Sequence, residues 1–278
     1  MPAAKLESIS DGIRVKSEAD RLVTLTAAKS AATKIATDPA LVDRSVDYFG
    51  AKILREQKNR EDVAKLTVEQ LRIDPPTEDA ETEIDEDWLN MFERIASEKS
   101  SEEMKEYLAK ILAGEIRKPG SFSPVTINTL ANLTAPIAQK FQAVANMSCE
   151  IADVAFVITS HVPKARENGL PAYGISYLDL TVLQSYGLLA SDLNSTWNFN
   201  FAVGKVGFDF GGVLHAITQK DPSEEKTLPT FKVFLFSPVG IELRRILALT
   251  KNEEFSSALA QWLDTQGFAL PRAQRAED

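Results

Sequence analysis

A chain of 278 residues with 44% hydrophobic and 26% charged side chains has an ordinary globular make-up, enough for one large or two medium domains. Its formal net charge of −9 argues against a dedicated nucleic-acid binder, because cationic contacts with phosphate supply most of that affinity. The single cysteine, Cys149, excludes an intrachain disulfide and a cysteine-rich zinc site. The two histidines, His161 and His215, show no ligand spacing, so no metal or other cofactor is expected. MPAAKLESISDG does not read as a secretory leader, and no run of about eighteen apolar residues is present to span a bilayer, so the expected setting is the cytoplasm.

Residues 1–77 form the first region. Within LVTLTAAKSAATKIAT, Leu22, Leu25, Ala28, Ala32 and Ile35 fall near one side of a helix, and Arg14, Lys16, Arg21, Lys29 and Lys34 add positive charge. The candidate face Leu22, Leu25, Lys29 and Ile35 suits a membrane surface or a partner. Plain packing on the neighbouring helix is the commoner fate of such a stripe. Asp38-Pro39 then opens a helix running to about Leu71. Leu41, Val42, Val46, Phe49, Ile53 and Leu54 make a broad apolar stripe, followed by the charged stretch REQKNREDVAKLTVEQL. Some thirty helical residues span about 45 Å. That length favours a protruding hairpin or an oligomer contact, so a homo-oligomer is expected.

Asp74-Pro75-Pro76 ends the helix, and residues 78–147 form the second region, an acidic linker and a helix–loop–helix. The linker is the kind of charge run that is usually solvated, and its acids also suit the amino end of the helix that carries Trp88, Phe92 and Ile95 in core spacing. Ser100 and Glu103 in SSEE have the spacing of a capping box. Residues 108–134, LAKILAGEIRKPGSFSPVTINTLANLT, organise the rest. Arg117 and Lys118 close one helix, Pro119 stops it, Gly120 lets the chain turn, and Ser123-Pro124 starts the next. Thr134 with Pro136 marks a further start. Arg117, Lys118, Ser121 and Ser123 are a candidate anion or partner contact, since loop amides beside cations can bind phosphate. No Walker pattern accompanies them, and capping is the commoner role for these serines.

The stretch IDEDWLNMFERIASEKSSEEMKEYLAKILAGEIRKPGSFSPVTINTLANLT, residues 84–134, resembles the bacterial domain-of-unknown-function family 2806. The likeness lies in the acidic lead-in to Trp88, SSEEM, LAKILAGEI, and the KPGSFS loop before TINTLANL. The layout is more distantly similar to the Abi-alpha (abortive infection) family. That likeness implies a setting in bacterial anti-phage defence; it supplies no catalytic residue and no reaction.

Residues 148–278 form the third region. VAFVIT at 154–159 reads as either a helix end or a buried strand, with its β-rich make-up favouring the strand, and Ser176 caps the helix YLDLTVLQSYG, ended by Gly187. Trp197, Phe199, Phe201 and Val203 alternate with polar residues. A turn at Gly204-Lys205 would pair them with Val206, Phe208 and Phe210 in a hairpin, an aromatic face best read as core. Gly211-Gly212 bends the second strand, FKVFLF is a third strand, and Ser237-Pro238 opens the helix VGIELRRILAL. A last helix runs from about Glu253 to Thr265 and ends at Gly267. Helix, Gly-Leu-Leu, hairpin, strand, helix is the order of a winged-helix module. The would-be recognition helix has no Arg or Lys, which favours protein contacts over DNA.

No GxSxG, HExxH, HxE with PCxxC, P-loop or GxGxxG pattern occurs, and Cys149 and His161 read as a buried thiol and a surface imidazole. The expected fold is mainly α with a small antiparallel sheet, a helical first half followed by a winged-helix-like module. The expected function is that of a non-enzymatic sensor or adaptor in anti-phage defence, with a protein partner such as an effector encoded nearby. A winged-helix transcription regulator and a peripheral membrane-associating protein are the alternatives.

Overall fold

Proline and serine set most of the helix boundaries. The computed structural model describes residues 23–24, 26–27, 29–30, 39–76, 83–151, 153–198, 207–221, 223 and 228–272. Contacts divide the chain into two compact units, Met1–Ala131 and Asn132–Asp278.

In the first unit, helix α1 spans Pro39–Ile73, 35 residues, and stops before the Pro75-Pro76 pair. At 1.5 Å per residue it is about 52 Å long. Helices α2 (Glu86–Glu98) and α3 (Glu102–Arg117) pack against it. The core is the α2 stripe Trp88, Phe92 and Ile95, the α3 stripe Leu108, Ile111 and Leu112, and Val63 and Leu71 of α1, all buried. Polar ties fix the register of α1. Buried Asn59 donates its Nδ2 to the Ser97 carbonyl at 2.8 Å, and Lys105, 2% exposed, pairs with Asp62 at 2.8 Å. The cap of α3 is Ser101, which accepts from the Met104 amide, and not the expected Ser100. Ser100 is drawn away because its hydroxyl accepts from Asn59 at 3.3 Å. Helix α4 (Pro124–Asn132) starts at the serine–proline step as expected, Ser123 Oγ accepting from the Thr126 amide.

The second unit opens with helix α5 (Ala135–Ala145) and contains strands β1 (Cys149–Ile151), β2 (Val154–Ile158), β5 (Ser195–Trp197), β6 (Gly207–Phe210), β7 (Val213–Ala216) and β9 (Phe231–Leu235). These form one antiparallel sheet in the order β5-β9-β2-β1-β6-β7. Between them lie a four-residue helical turn α6 (Ala165–Asn168), the short strand pair β3 (Gly169–Leu170) and β4 (Ile175–Ser176), helix α7 (Tyr177–Ser185), and β8 (Thr218–Gln219). Helices α8 (Pro238–Ile246) and α9 (Glu253–Thr265) follow, and β10 (Phe268–Ala269) pairs with β8. The architecture is α+β, mainly helical with an antiparallel sheet.

The strand expected at 154–159 is β2, and it is central. Ala155, Phe156, Val157 and Ile158 are all buried although successive residues face opposite ways, so both sheet faces are covered. Phe156, Cys149 and Phe210 share one face by register, and α9 lies there, Phe255 against Phe210 and Trp262 against Phe231. Glu150 and Asp209 share the other face, where α8 sits.

The expected hairpin turn at Gly204-Lys205 lies outside the described residues, and the Phe210 it would pair with Phe199 has other partners. Phe199, Phe201, Val203 and Val206 lie outside the described residues, but Trp197 pairs with Phe231, and Phe210 pairs with Cys149 and Val213. Both edges of β6 are taken, by β1 and β7. The hairpin turn is Gly211-Gly212, with φ of 56° and 86°, the positive values that a two-residue primed turn needs. A side chain at Gly211 would also strike the backbone of Lys251 and Asn146. Helix α7 carries the expected Ser176 cap in a full capping box with Asp179, and Gly187 closes it in a left-handed turn. Leu188 donates back to the Leu183 carbonyl, as in a Schellman motif. Ser237 caps α8 by accepting from the Gly240 amide at 3.0 Å. Gly240 packs so closely on Leu188 that a Cβ there would collide with its carbonyl.

Candidate interaction site

The apolar stripe of α1 is continuous in sequence, but its residues are fully buried only in the second half of the helix. Thr67 and Leu71, both buried, lie eighteen residues after Phe49 and Ile53, which is about five full turns, so they occupy the same side of the helix. The ties to α2 and α3 run from Asn59 to Asp74, whose carboxylate pairs with Arg117. Between Ala40 and Lys58 no residue is buried. Leu41, Tyr48, Phe49 and Leu54 stand 49%, 63%, 41% and 54% exposed, with Tyr48 and Phe49 in edge contact at 5.8 Å. A scatter of single exposed apolar residues is ordinary, but Leu41, Tyr48 and Phe49 fall within about 100° of one another around the helix and make a patch, with Leu54 on the opposite flank. Ile73 at the end of α1, Val125 of α4 and the adjacent pair Tyr177 and Leu178 of α7 are exposed as well.

The KPGSFS loop is built from within. Glu115, 3% exposed, accepts from the amides of Gly120 at 2.6 Å and Phe122 at 3.0 Å. Phe122 is further held by its carbonyl, which accepts from Trp88 Nε1 at 2.7 Å, and by its ring, which lies where any side chain at Gly114 would stand. The four residues singled out for an anion are placed as follows. Arg117 reaches the Asp74 carboxylate and carbonyl, Lys118 ends α3, Ser121 Oγ donates to the Lys118 carbonyl, and Ser123 caps α4. A protein carboxylate thus takes two of the amides that a bound anion would need. Of the other candidate face, Leu22, Leu25 and Ile35 lie outside the described residues, while Lys29 is helical and exposed.

In the second unit the ionisable groups of the interior hold the fold together. Arg244 of α8, 4% exposed, donates Nε to Ser148 Oγ at 2.7 Å and Nη2 to Asp209 at 2.8 Å, and its Nη1 meets Glu150. Cys149 is fully buried on the opposite face, and burial pushes its thiol well above the usual range, the opposite of what a nucleophile needs. His161 is not the surface imidazole expected: both ring nitrogens are buried without a hydrogen-bond partner, and the ring stands edge-on to Phe255 at 4.6 Å. Burial lowers its pKa to about 4. His215 lies against Phe208 and Phe210, lowered by burial and by Lys251. Among the described residues no three His, Cys, Asp or Glu side chains are grouped as a metal ion would require, and no helix is long and apolar enough to cross a membrane.

Sequence reasoning missed the Arg244 cluster, whose partners lie 35, 94 and 96 residues away, and had no signal to find it. It saw the α1 stripe but not which half would be left uncovered. The model of a protein family of unknown function, DUF2806, matches residues 43–260, well over half the chain. No curated protein and no solved structure matches it.

Proposed function

The chain belongs to the DUF2806 family, whose description names no activity; we propose that it is a non-enzymatic adaptor that works by touching another macromolecule. The observation that supports this is the outer half of α1, where Leu41, Tyr48 and Phe49 are exposed on one side of the helix. Large apolar and aromatic side chains presented on a rigid helix are the usual anchors of a protein contact. The fate of the interior ionisable groups agrees with it, since Arg244, Lys105 and Glu115 are consumed in ion pairs and backbone bonds. The anti-phage setting, with an effector encoded nearby as partner, rests on the resemblance of residues 84–134 to the Abi-alpha family.

The test is a photo-cross-linking amino acid placed at Tyr48 of the full chain in its host, with Glu106 on the exposed side of α3 as control. A discrete protein adduct at Tyr48 and none at Glu106 is the expected result. Equal, diffuse labelling at both positions would remove the reading, and recovery of duplex DNA on the Tyr48 adduct would favour the winged-helix regulator. Partition of the adduct with lipid would favour the membrane-associating alternative instead.

A further inference from the structure

The segment after α9 runs back along the strand edge formed by β7 and β8, in one unbroken antiparallel register. Lys220 donates to the Gly267 carbonyl at 3.1 Å, Gln219 pairs with Phe268, and Thr218 pairs with Ala269. Ala216 then donates to the Pro271 carbonyl at 3.2 Å, and His215 stands opposite Arg272. The two ends of this strap are held differently. At its base Phe268 is buried, and Lys220 pairs with Asp264 of α9. At its outer end Pro271 and Arg272 are exposed, and Pro271 has no N–H with which to return the bond from Ala216.

His215 lies at that loose end. It is 6% exposed, its Nδ1 stands 3.4 Å from the Leu270 carbonyl, and its Nε2 is buried with no hydrogen-bond partner among the described residues. Arg272, directly opposite, shares its sheet face, where like charges repel. From the loop before α9 comes Lys251, paired with Glu253 at 3.0 Å, and from β6 come the rings of Phe208 and Phe210. Asp209, between those rings, serves Arg244 on the other face. The imidazole therefore meets two cations, Lys251 and Arg272, and Glu253 offsets the first. Burial and Lys251 hold its pKa below the ordinary 6.5, against the carbonyls of Leu270 and Pro271, which favour the charged ring; Arg272 lowers it further.

We infer that residues 270–272 form a pH-sensitive latch that closes over neutral His215 and peels from β7, hinged at Phe268, when the ring takes up a proton. Peeling lets water reach Nε2 and carries Arg272 away from the new charge. The open state therefore binds the proton more tightly and gains as the pH falls. It turns the Ala216 amide to solvent and leaves the Lys220 amide paired. No residue of α1 takes part, so the latch stands apart from the contact proposed there.

The experiment is amide hydrogen exchange of the full chain, followed by NMR at about pH 7.5 and about pH 5.5, with each rate referred to the intrinsic rate at that pH. The protection of the Ala216 amide falls several-fold, up to about tenfold, because one pH unit below 6.5 gives the open state about a tenfold preference for the charged ring. That of Lys220 is unchanged. His215→Phe, whose ring suits the neighbouring Phe208 and Phe210, abolishes the fall, and Arg272→Gln, a change at an exposed position, reduces it. Equal loss at Ala216 and Lys220 would mean that the whole edge loosens, and no loss at Ala216 that nothing opens. A fall that survives in His215→Phe or is undiminished in Arg272→Gln would assign the titration elsewhere. Each of these results overturns the latch.

Discussion

The indole Nε1 of Trp88 donates to the carbonyl of Phe122 at 2.7 Å, joining α2 to the loop between α3 and α4 across 34 residues. Both residues are buried, and the same Phe122 spends its amide on Glu115. The loop is therefore held through both peptide groups that flank one residue. Trp88→Phe keeps the stacked contact with Phe92 but leaves the carbonyl without a donor, which costs about 1–3 kcal/mol. Trp88→Ala also opens a cavity, at about 3–5 kcal/mol. Urea unfolding of both variants checks the order, and a Trp88→Phe protein as stable as the wild type would refute the role of the bond.

Arg244→Met should be the most damaging polar replacement in the second unit. It strands Glu150 and Asp209 beside each other on one sheet face; because their side chains are 22% and 38% exposed, the cost falls below the about 3–5 kcal/mol of breaking a fully buried pair. Adding Glu150→Gln and Asp209→Asn removes the stranded charges, so the triple variant recovers part of the loss. Thermal unfolding of the single and triple variants measures this directly; no recovery would mean that lost packing, and not charge, is responsible.

Stability should fall in mild acid because of His161. Its folded pKa, about 4, lies below its ordinary value of 6.5, so the unfolded chain binds the proton more readily. The stabilising contribution is complete above about pH 6.5 and is lost as the pH falls toward 4. His161→Phe keeps a ring against Phe255 and removes the titration, which moves the acid transition, followed by circular dichroism, to lower pH. An unchanged midpoint would place the acid sensitivity elsewhere.

Cys149 should ignore thiol reagents in the native protein. It is fully buried beneath α9 with its thiol held protonated, so reaction with Ellman's reagent has to wait for unfolding. The labelling rate should rise along the same urea curve as the loss of circular dichroism. Rapid labelling without denaturant would contradict the placement of β1.

Several elements were legible because their cause is local. Ser123-Pro124 and Ser237-Pro238 start helices through a capping bond that reaches three residues, and Gly187 and Gly267 end them by adopting positive φ. The alternation in FKVFLF and the apolar run VAFVI marked β9 and β2 correctly. The expected partner of Phe210 was wrong because β1, only three residues long, carries no pattern of its own yet takes one edge of β6. The Gly-Gly pair that turns β6 into β7 was visible, but a bend and a two-residue turn look alike until a partner strand is known.

What the sequence determined alone is where the chain is helical, where it is extended and where it must turn, because caps, breaks and alternation depend on atoms a few residues apart. Tertiary structure decided which strand edges meet, that Arg244 is clamped by Ser148, Glu150 and Asp209, and that α1 is buried from Asn59 but not before it. Those outcomes depend on contacts between distant segments, and an apolar stripe looks the same whether or not another helix arrives to cover it.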